Sequence, residues 1–422
     1  MSGGVDDRPE FDELVSFITT YARVAQKYFG YSYETELALH RIINGLGLHC
    51  EIFTTPNILQ IALWRDDASR QTMHLAVTMG IGYDLNKVAQ IDDVASRVTN
   101  GQVSLRQGQA LLKQIEGAPA IYGLPQNALA FVMTGAGFAA IIGASWLDIL
   151  LGGLLGLISL VMVRLGTRLA RVAIIAEILA AAFAAFLATA LSVAMPGIRP
   201  LVIAVCAVTW FMPGFGLTIA PREMLYGNTL AGLVLITNAT LVFIKLFAGG
   251  TLGYALAMDL LHPPNRALLP VVDPAWVWVL GPTLTVGLAI LFRVAPRHLP
   301  LIVVGTWLVW AGVVLGSQAG PWQGTFLGAF VLAVLSSLGT RRGIHSATLS
   351  LPLIMLLVPG YAFLRALYVM SAQGTETGLS VLSAVTLAVA AILAGIFMGD
   401  AIVSTGYAGL RFAGRYREGH HK

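Results

Sequence analysis

Apolar and polar positions divide the chain into two regimes. Up to about residue 125 they alternate on short scales. That pattern predicts helices near 10–28, 31–45, 84–98 and 104–116, the last opening on Ser104, a residue type suited to capping a helix N-terminus. Between them, 50–55, 58–64 and 74–78 read as short strands. Residues 1–125 are therefore expected to form a small α/β domain, closed by the Gly117-Ala118-Pro119 and Gly123-Leu124-Pro125 breaks.

Beyond that point the polar positions thin out. Ten apolar segments follow, near 127–144, 146–163, 172–193, 199–217, 228–257, 276–292, 299–316, 322–338, 346–368 and 379–404. Several approach the roughly 20 residues that a helix needs to cross the hydrocarbon core. They lack the alternation of a membrane β-barrel. The expected fold is mainly α: a polytopic membrane protein whose ten transmembrane helices follow a small cytoplasmic α/β domain.

Within the apolar region, features recur at a constant offset of 146 positions. Gly197-Ile198-Arg199 leads to Pro213-Gly214-Phe215, and Gly343-Ile344-His345 leads to Pro359-Gly360-Tyr361. The same offset carries Ala248-Gly249 and Gly253 onto Ala394-Gly395 and Gly399. The ten segments thus fall into two sets of five, over 126–270 and 271–410, each broken in its fourth member. An odd number per set turns the second half upside down relative to the first, the inverted repeat of many secondary transporters. A Pro-Gly break frees backbone groups that lipid cannot satisfy, so it persists where it lines a cavity or lies inside protein.

Composition agrees. Hydrophobic residues make up 56% of the chain and charged residues only 11%, against about 25% charged in soluble domains. The net charge of +4 does not indicate nucleic acid, because the arginines sit in short loops. Arg164, Arg168, Arg171, Arg222, Arg293, Arg297, Arg341 and Arg342, with the basic tail 411–422, fall on one side of the predicted spans; Arg199 and Arg266 fall on the other. That asymmetry places both termini in the cytoplasm. The acidic start, with Asp6, Asp7, Glu10, Asp12 and Glu13, does not read as a signal peptide. Cys50 lies in the polar region and Cys206 in an apolar segment, a distribution that does not suggest a disulfide.

The stretch Pro213-Gly214-Phe215-Gly216-Leu217-Thr218-Ile219-Ala220-Pro221-Arg222-Glu223, continuing through Gly227-Asn228 to Gly232, resembles the threonine/serine exporter family. Leu357-Val358-Pro359-Gly360 is similar to that family's second break. Glu223 stands where the family pattern has aspartate, and Asn228 where it commonly has an acid, which removes a charge at that position. The resemblance implies export of small amino acids, threonine and serine first, driven by the proton-motive force. With the charge pattern, it also implies a bacterial inner membrane. Partners are then the amino acid, protons and the lipid bilayer; homo-oligomers are compatible with this reading.

A zwitterionic substrate needs a positive partner for its carboxylate and a negative or carbonyl-rich one for its ammonium. Candidates for binding it are Pro213, Gly214, Thr218, Asn228, Pro359, Gly360 and Tyr361, because a helix restarting after Pro-Gly presents free N–H groups and the positive end of its dipole. Thr218 could equally bond its own backbone. Candidates for proton coupling or gating are Glu177, Arg222, Glu223, Lys245 and Asp400, since ionisable groups at membrane depth are costly. Arg222 and Glu223 read as a gate ion pair or as an ordinary basic loop. In the N-terminal region, Glu34, Glu36 and His40 share a helix, with Glu36 and His40 on one face. No nucleophile motif or cysteine–histidine cluster accompanies them in sequence, so no metal, cofactor or catalytic residue is expected. An uncoupled facilitator for small carboxylates remains an alternative. An intramembrane aspartyl hydrolase ranks lower, because Tyr83-Asp84 lies outside the apolar segments and Asp400 lacks the expected first glycine before it.

Overall fold

The computed structural model describes residues 8–29, 32–65, 71–77, 82–264, 267–357 and 360–404. Asp6, Asp7, Arg266, Val358, Pro359 and the tail 411–422, all noted in the sequence, lie outside the described residues, as do the side chains of Glu10, Glu34 and Phe215. The chain divides into two compact units. One comprises Met1–Tyr122, Ile219–Thr237 and Phe292–Ala295; the other comprises Gly123–Thr218, Asn238–Leu291 and Pro296–Lys422.

The first unit contains α1 (Arg8–Phe29), α2 (Ser32–Gly45), β1 (His49–Thr54), β2 (Ile58–Trp64), β3 (Thr72–Val77), α3 (Leu85–Thr99) and α4 (Leu105–Gly117). The strands form an antiparallel sheet in the order β1-β2-β3, with Ile52 opposite Ile61 and Ile61 opposite His74. Alternation sends Leu59, Ile61 and Leu63 of β2 to the buried face, in one core with Phe17, Ile18, Leu39, Ile43 and Ile91 from the helices. Ser104 does cap α4: its hydroxyl accepts from the Gln107 amide, and the Gln107 side chain accepts from the Ser104 amide. At the other end of α4, Lys87 Nζ donates to the carbonyls of Glu116 (2.9 Å) and Ala118 (2.7 Å). That puts a cation against the negative end of the helix. The Glu116 carboxylate ties α4 to α1 through Arg23 (3.0 Å) and Lys27 (3.2 Å).

The remaining helices are α5 (Leu124–Ile141), α6 (Trp146–Arg168), α7 (Ala170–Ala194), α8 (Pro200–Ala207), α9 (Gly214–Leu225), α10 (Thr229–Leu261), α11 (Val277–Leu291), α12 (Leu299–Ser317), α13 (Pro321–Arg341), α14 (Ser346–Ile354), α15 (Gly360–Gln373) and α16 (Thr375–Ser404). Every apolar segment of the sequence corresponds to one helix or to a broken pair. Among the described residues, however, eight helices are long and apolar enough to cross a membrane, or nine if α8 and α9 count as one span bent by 59°. The fourth segment of each set is split, into α8 and α9 and into α14 and α15. Proline cannot donate to the preceding turn, and its ring clashes with that turn's carbonyl.

Neighbour relations recur in the two halves. α5 packs on α6, α6 on α7, and α8 on α5, α6 and α7; likewise α11 packs on α12, α12 on α13, and α14 on α11, α12 and α13. α5 also packs on α11, and glycines set their approach. A Cβ on Gly137 would stand 2.5 Å from the Leu284 nitrogen, and one on Gly287 would stand 2.9 Å from the Ala130 carbonyl oxygen. The repeated glycines make equivalent crossings. A Cβ on Gly249 would collide with the Ile178 carbonyl on α7, and one on Gly395 with the Phe326 carbonyl on α13. Lipid gives two apolar helices little reason to associate, so close backbone approach at small residues supplies the packing.

Asp148 has no exposed surface. It completes a capping box with Ser145 at the start of α6, and accepts from the backbone N–H (2.9 Å) and guanidinium (3.0 Å) of Arg199 before α8. Arg199 also donates to the Leu269 carbonyl at 2.8 Å. One buried carboxylate thus joins the starts of α6 and α8 to the connector after α10, and its charge is fully compensated, as burial requires.

Two predictions follow from these contacts. Gly249→Val should abolish stable folding, because the added carbons meet α7 backbone. Gly117→Ala, at a position with nothing within 4 Å, should leave the melting temperature in detergent unchanged. The second concerns Glu116. Partial burial raises its carboxyl's pKa, but hydrogen bonds and charge attraction from Arg23 and Lys27 outweigh this and hold it below the usual carboxylate range. A depressed pKa stabilises the fold above the unfolded value, about 4.3, and that stability is lost as pH falls through the folded value. The protection factors of the α4 amides in the full chain, taken against the intrinsic exchange rate at each pH, should therefore drop below about pH 4, and Glu116→Gln should remove that acid-dependent step.

Candidate functional site

Each break leaves polar backbone in an otherwise apolar unit. α8 ends at Ala207, a short 3-10 turn covers Thr209–Phe211, and α9 restarts at Gly214. The Leu217 amide bonds back to the Pro213 carbonyl at 3.1 Å, so the amides ahead of it in the first turn have no partner within the helix. α14 ends at Ile354 and α15 restarts at Gly360. The two restart points meet, because a Cβ placed on Gly360 would touch the Gly214 Cα at 3.7 Å.

A cavity of about 20 Å³ lies at this meeting point. Thr209, Met212 and Gly214 line it from the first break; Met355, Gly360 and Tyr361 line it from the second. Phe138 of α5 and Leu284 and Leu288 of α11 complete the wall. Phe138 meets the Tyr361 ring edge-on, with centroids 6.4 Å apart. Helix starts offer N–H donors and partial positive charge, while the carbonyls of the preceding helix ends keep a second acceptor site, those of Cys206 and Ala207 already accepting from Thr209 Oγ1 (2.8 Å) and Ser159 Oγ (2.6 Å). The pairing suits a small group carrying both charges. The volume holds about one water, so a larger guest requires the walls to part.

Of the residues singled out in the sequence, Gly214, Gly360 and Tyr361 line this cavity. Thr218 does not: it is fully buried and its hydroxyl donates to the Gly214 carbonyl at 3.1 Å, the usual outcome for a threonine inside a helix. Hydrophobic spacing gave no sign of Phe138, Leu284 or Leu288, because nothing separates a cavity-lining apolar residue from a packed one.

The ionisable candidates form two groups. In the membrane unit, Lys245 Nζ lies 3.5 Å from Glu177 Oε2 and donates to the Ile174 carbonyl at 3.0 Å. The two residues link α10 to α7 beside the Gly249 crossing. Asp400 accepts from Ser337 Oγ at 2.9 Å, linking α16 to α13.

The other group lies in the N-terminal unit, which includes residues 219–237. Glu223 is buried and accepts from the Tyr33 amide (3.1 Å) and from Asn228 Nδ2 (3.3 Å). Asn228 Nδ2 also donates to Glu36 at 3.3 Å. Thus Asn228, where an acid was expected, bridges two carboxylates through its amide, and an acid there would add a third negative charge. Tyr33 stacks on Tyr226 with centroids 3.9 Å apart, and the Arg222 guanidinium lies 5.8 Å over the same Tyr226 ring.

Residues 17–257 match the profile of a family described as "Putative threonine/serine exporter", and residues 278–402 match a second profile described as "Threonine/Serine exporter, ThrE". Over 231 residues the chain is 25% identical to "Uncharacterized protein C16A10.01" of Schizosaccharomyces pombe, a stretch covering 52% of this chain and 28% of that protein. No solved structure matches the chain. The matched residues run from the N-terminal unit through both helix breaks, and the chain belongs to the threonine/serine exporter family.

Proposed function

We propose that this protein is a secondary transporter that exports threonine, serine or similar small amino acids from the cytoplasm, coupled to protons, by alternating access about its two helix breaks. The observation that carries this reading is the meeting of the α9 and α15 starts at Gly214 and Gly360. Their N–H groups would hold the substrate carboxylate, and the carbonyls ending α8 and α14 would hold its ammonium. The recurring neighbour relations support a ten-segment, inverted two-fold repeat, and the loop arginines with the family membership support both termini in the cytoplasm of a bacterial inner-membrane protein. The cavity is smaller than the cargo, so the two halves must separate to admit it, first on one side and then on the other.

Glu177 is the proposed proton carrier, with Lys245 as its partner. In the absence of the proton the pair is an ion pair; a proton arriving on Glu177 removes the attraction and frees α10 from α7. The ion pair also favours a second reading, in which Lys245 ties the Glu177 carboxylate throughout. If Lys245 never leaves it, the protein is an uncoupled facilitator. Arg222, Glu223 and Asn228 would act in gating, where α9 turns into α10.

Labelled threonine should accumulate in inside-out vesicles when a proton gradient is imposed, and Glu177→Gln should reduce this to equilibration. Equilibration in the unsubstituted protein would favour the facilitator, and threonine movement no faster than through empty vesicles would refute the export reading. Gly360→Ala tests the cavity itself. Its added methyl group meets neighbours only at ordinary contact distance, so the variant should fold normally. Its transport should fall by about tenfold or more, as expected where about 1 Å of misplacement matters. Wild-type transport in this variant would remove the cavity from the pathway.

A further inference from the structure

In the N-terminal unit, α2 and β1 bring a thiol and an imidazole together. Cys50 Sγ lies 3.2 Å from His40 Nδ1. The other ring nitrogen of His40, Nε2, lies 3.8 Å from Glu36 Oε1. The helix dictates half of this arrangement, since Glu36 and His40 stand one turn apart on one face of α2. The sheet dictates the rest: alternation along β1 turns Cys50 with Ile52 toward the helices. Cys50 is part-buried rather than sealed, whereas the chain's other cysteine, Cys206, is buried in an apolar helix.

A thiol is a poor nucleophile until it loses its proton. An imidazole at hydrogen-bond distance can take that proton, and a carboxylate on its far side favours the resulting imidazolium. The order thiol, imidazole, carboxylate is that of an activated nucleophile and its orienting acid. Among the described residues, His40 of α2 and, through it, Glu36 face the thiol, and its register partner on β2 is Leu63, which is apolar. Packing alone does not require a histidine here.

We propose that Cys50 is a covalent modification site that forms a mixed disulfide with low-molecular-weight disulfides. His40 takes the thiol proton. The Cys50 thiolate attacks one sulfur of the small disulfide, a new S–S bond forms and the old one breaks. The departing thiolate takes the proton from His40 and leaves as a thiol. Cys50 is oxidised and the departing half is reduced, so atoms and electrons balance. The chain has only two cysteines, and Cys206 is sealed in its helix, so an external thiol must reverse the reaction. Glu36 also accepts from Asn228, so the modified thiol sits a few polar contacts from the turn between α9 and α10. The site is independent of the transport reading.

The test uses the full-length protein in detergent with hydroxyethyl disulfide, a neutral probe that charge does not steer. Mass spectrometry follows the Cys50 and Cys206 peptides over time between about pH 6 and 9. Near pH 7 Cys50 should react several-fold faster than the same cysteine in the denatured chain, and Cys206 should stay unmodified until unfolding. The Cys50 rate should hold up below about pH 8.5, where an unperturbed thiol becomes mostly protonated. His40→Gln should return both rate and pH profile to those of the denatured chain, and Glu36→Gln, which keeps the imidazole, should give an intermediate rate. A folded-state rate at or below the denatured rate would overturn the proposal, as would a wild-type pH profile in a folded His40→Gln. If His40→Gln does not fold, the comparison of folded with denatured wild type, and Glu36→Gln, decide.

Discussion

A peptide bond in hydrocarbon must be satisfied by its own helix or by protein, because lipid offers it nothing. That constraint bears hardest where α8 gives way to α9 and α14 to α15, since the regular helix ladder is interrupted there and side chains fill part of the gap, Ser159 Oγ donating to the Ala207 carbonyl and Thr209 Oγ1 to the Cys206 carbonyl. The fold encloses both places. α5 and α11 supply the wall, through Phe138 on one side and Leu284 and Leu288 on the other. They approach closely because Gly137 and Gly287 carry no side chain where backbone stands 2.5–2.9 Å from the missing Cβ. Without those glycines α5 and α11 could not approach this closely and the wall would open. The enclosure of the cavity therefore depends on residues that contribute no side chain to it.

Sequence patterning carried most of the secondary structure. Apolar runs of membrane-spanning length mark helices because burial in lipid needs no periodicity, and alternation marked the three strands because one sheet face is buried. Ser104 was readable because a helix cap is local, as were the breaks, since Pro and Gly act on their own backbone. Long-range pairs were not readable. Nothing near Asp148 in sequence announces Arg199, and nothing near Cys50 shows that His40 will stand 3.2 Å away. Such contacts arise where separate elements meet, and one chain read alone contains no record of the meeting. Thr218 is the opposite case: its hydroxyl had two competing uses, and local geometry decided for the backbone carbonyl one turn back.

The same limit explains why the number of spans differs from the number of apolar segments. Hydropathy averages across a break, so 199–217 and 346–368 read as continuous while each backbone stops and restarts. A split segment does not span in the ordinary sense; it places two helix ends at mid-segment, which a continuous helix cannot do. In an apolar unit those ends are a source of directed partial charge that needs no ionised side chain.

Two equivalent breaks would by themselves serve both directions alike, so a directional exporter needs the halves to differ in something a gradient can act on. The offset of 146 positions isolates that difference. It carries Glu177 onto Gln323 and Lys245 onto Ala391. One half therefore holds α7 to α10 by a pair of opposite charges 3.5 Å apart, while its counterpart has a buried amide oxygen with no hydrogen-bond partner among the described residues and a methyl group. The glycine crossings on either side of this substitution are retained at Gly249 and Gly395. Packing is thus repeated where the helices touch, and chemistry is not repeated where they are tied. A proton can weaken the tie between α7 and α10; it has no carboxylate to act on at position 323 between α13 and α16. Under the proposed transport reading, the coupling step would lie in the first half, with the second as its passive frame.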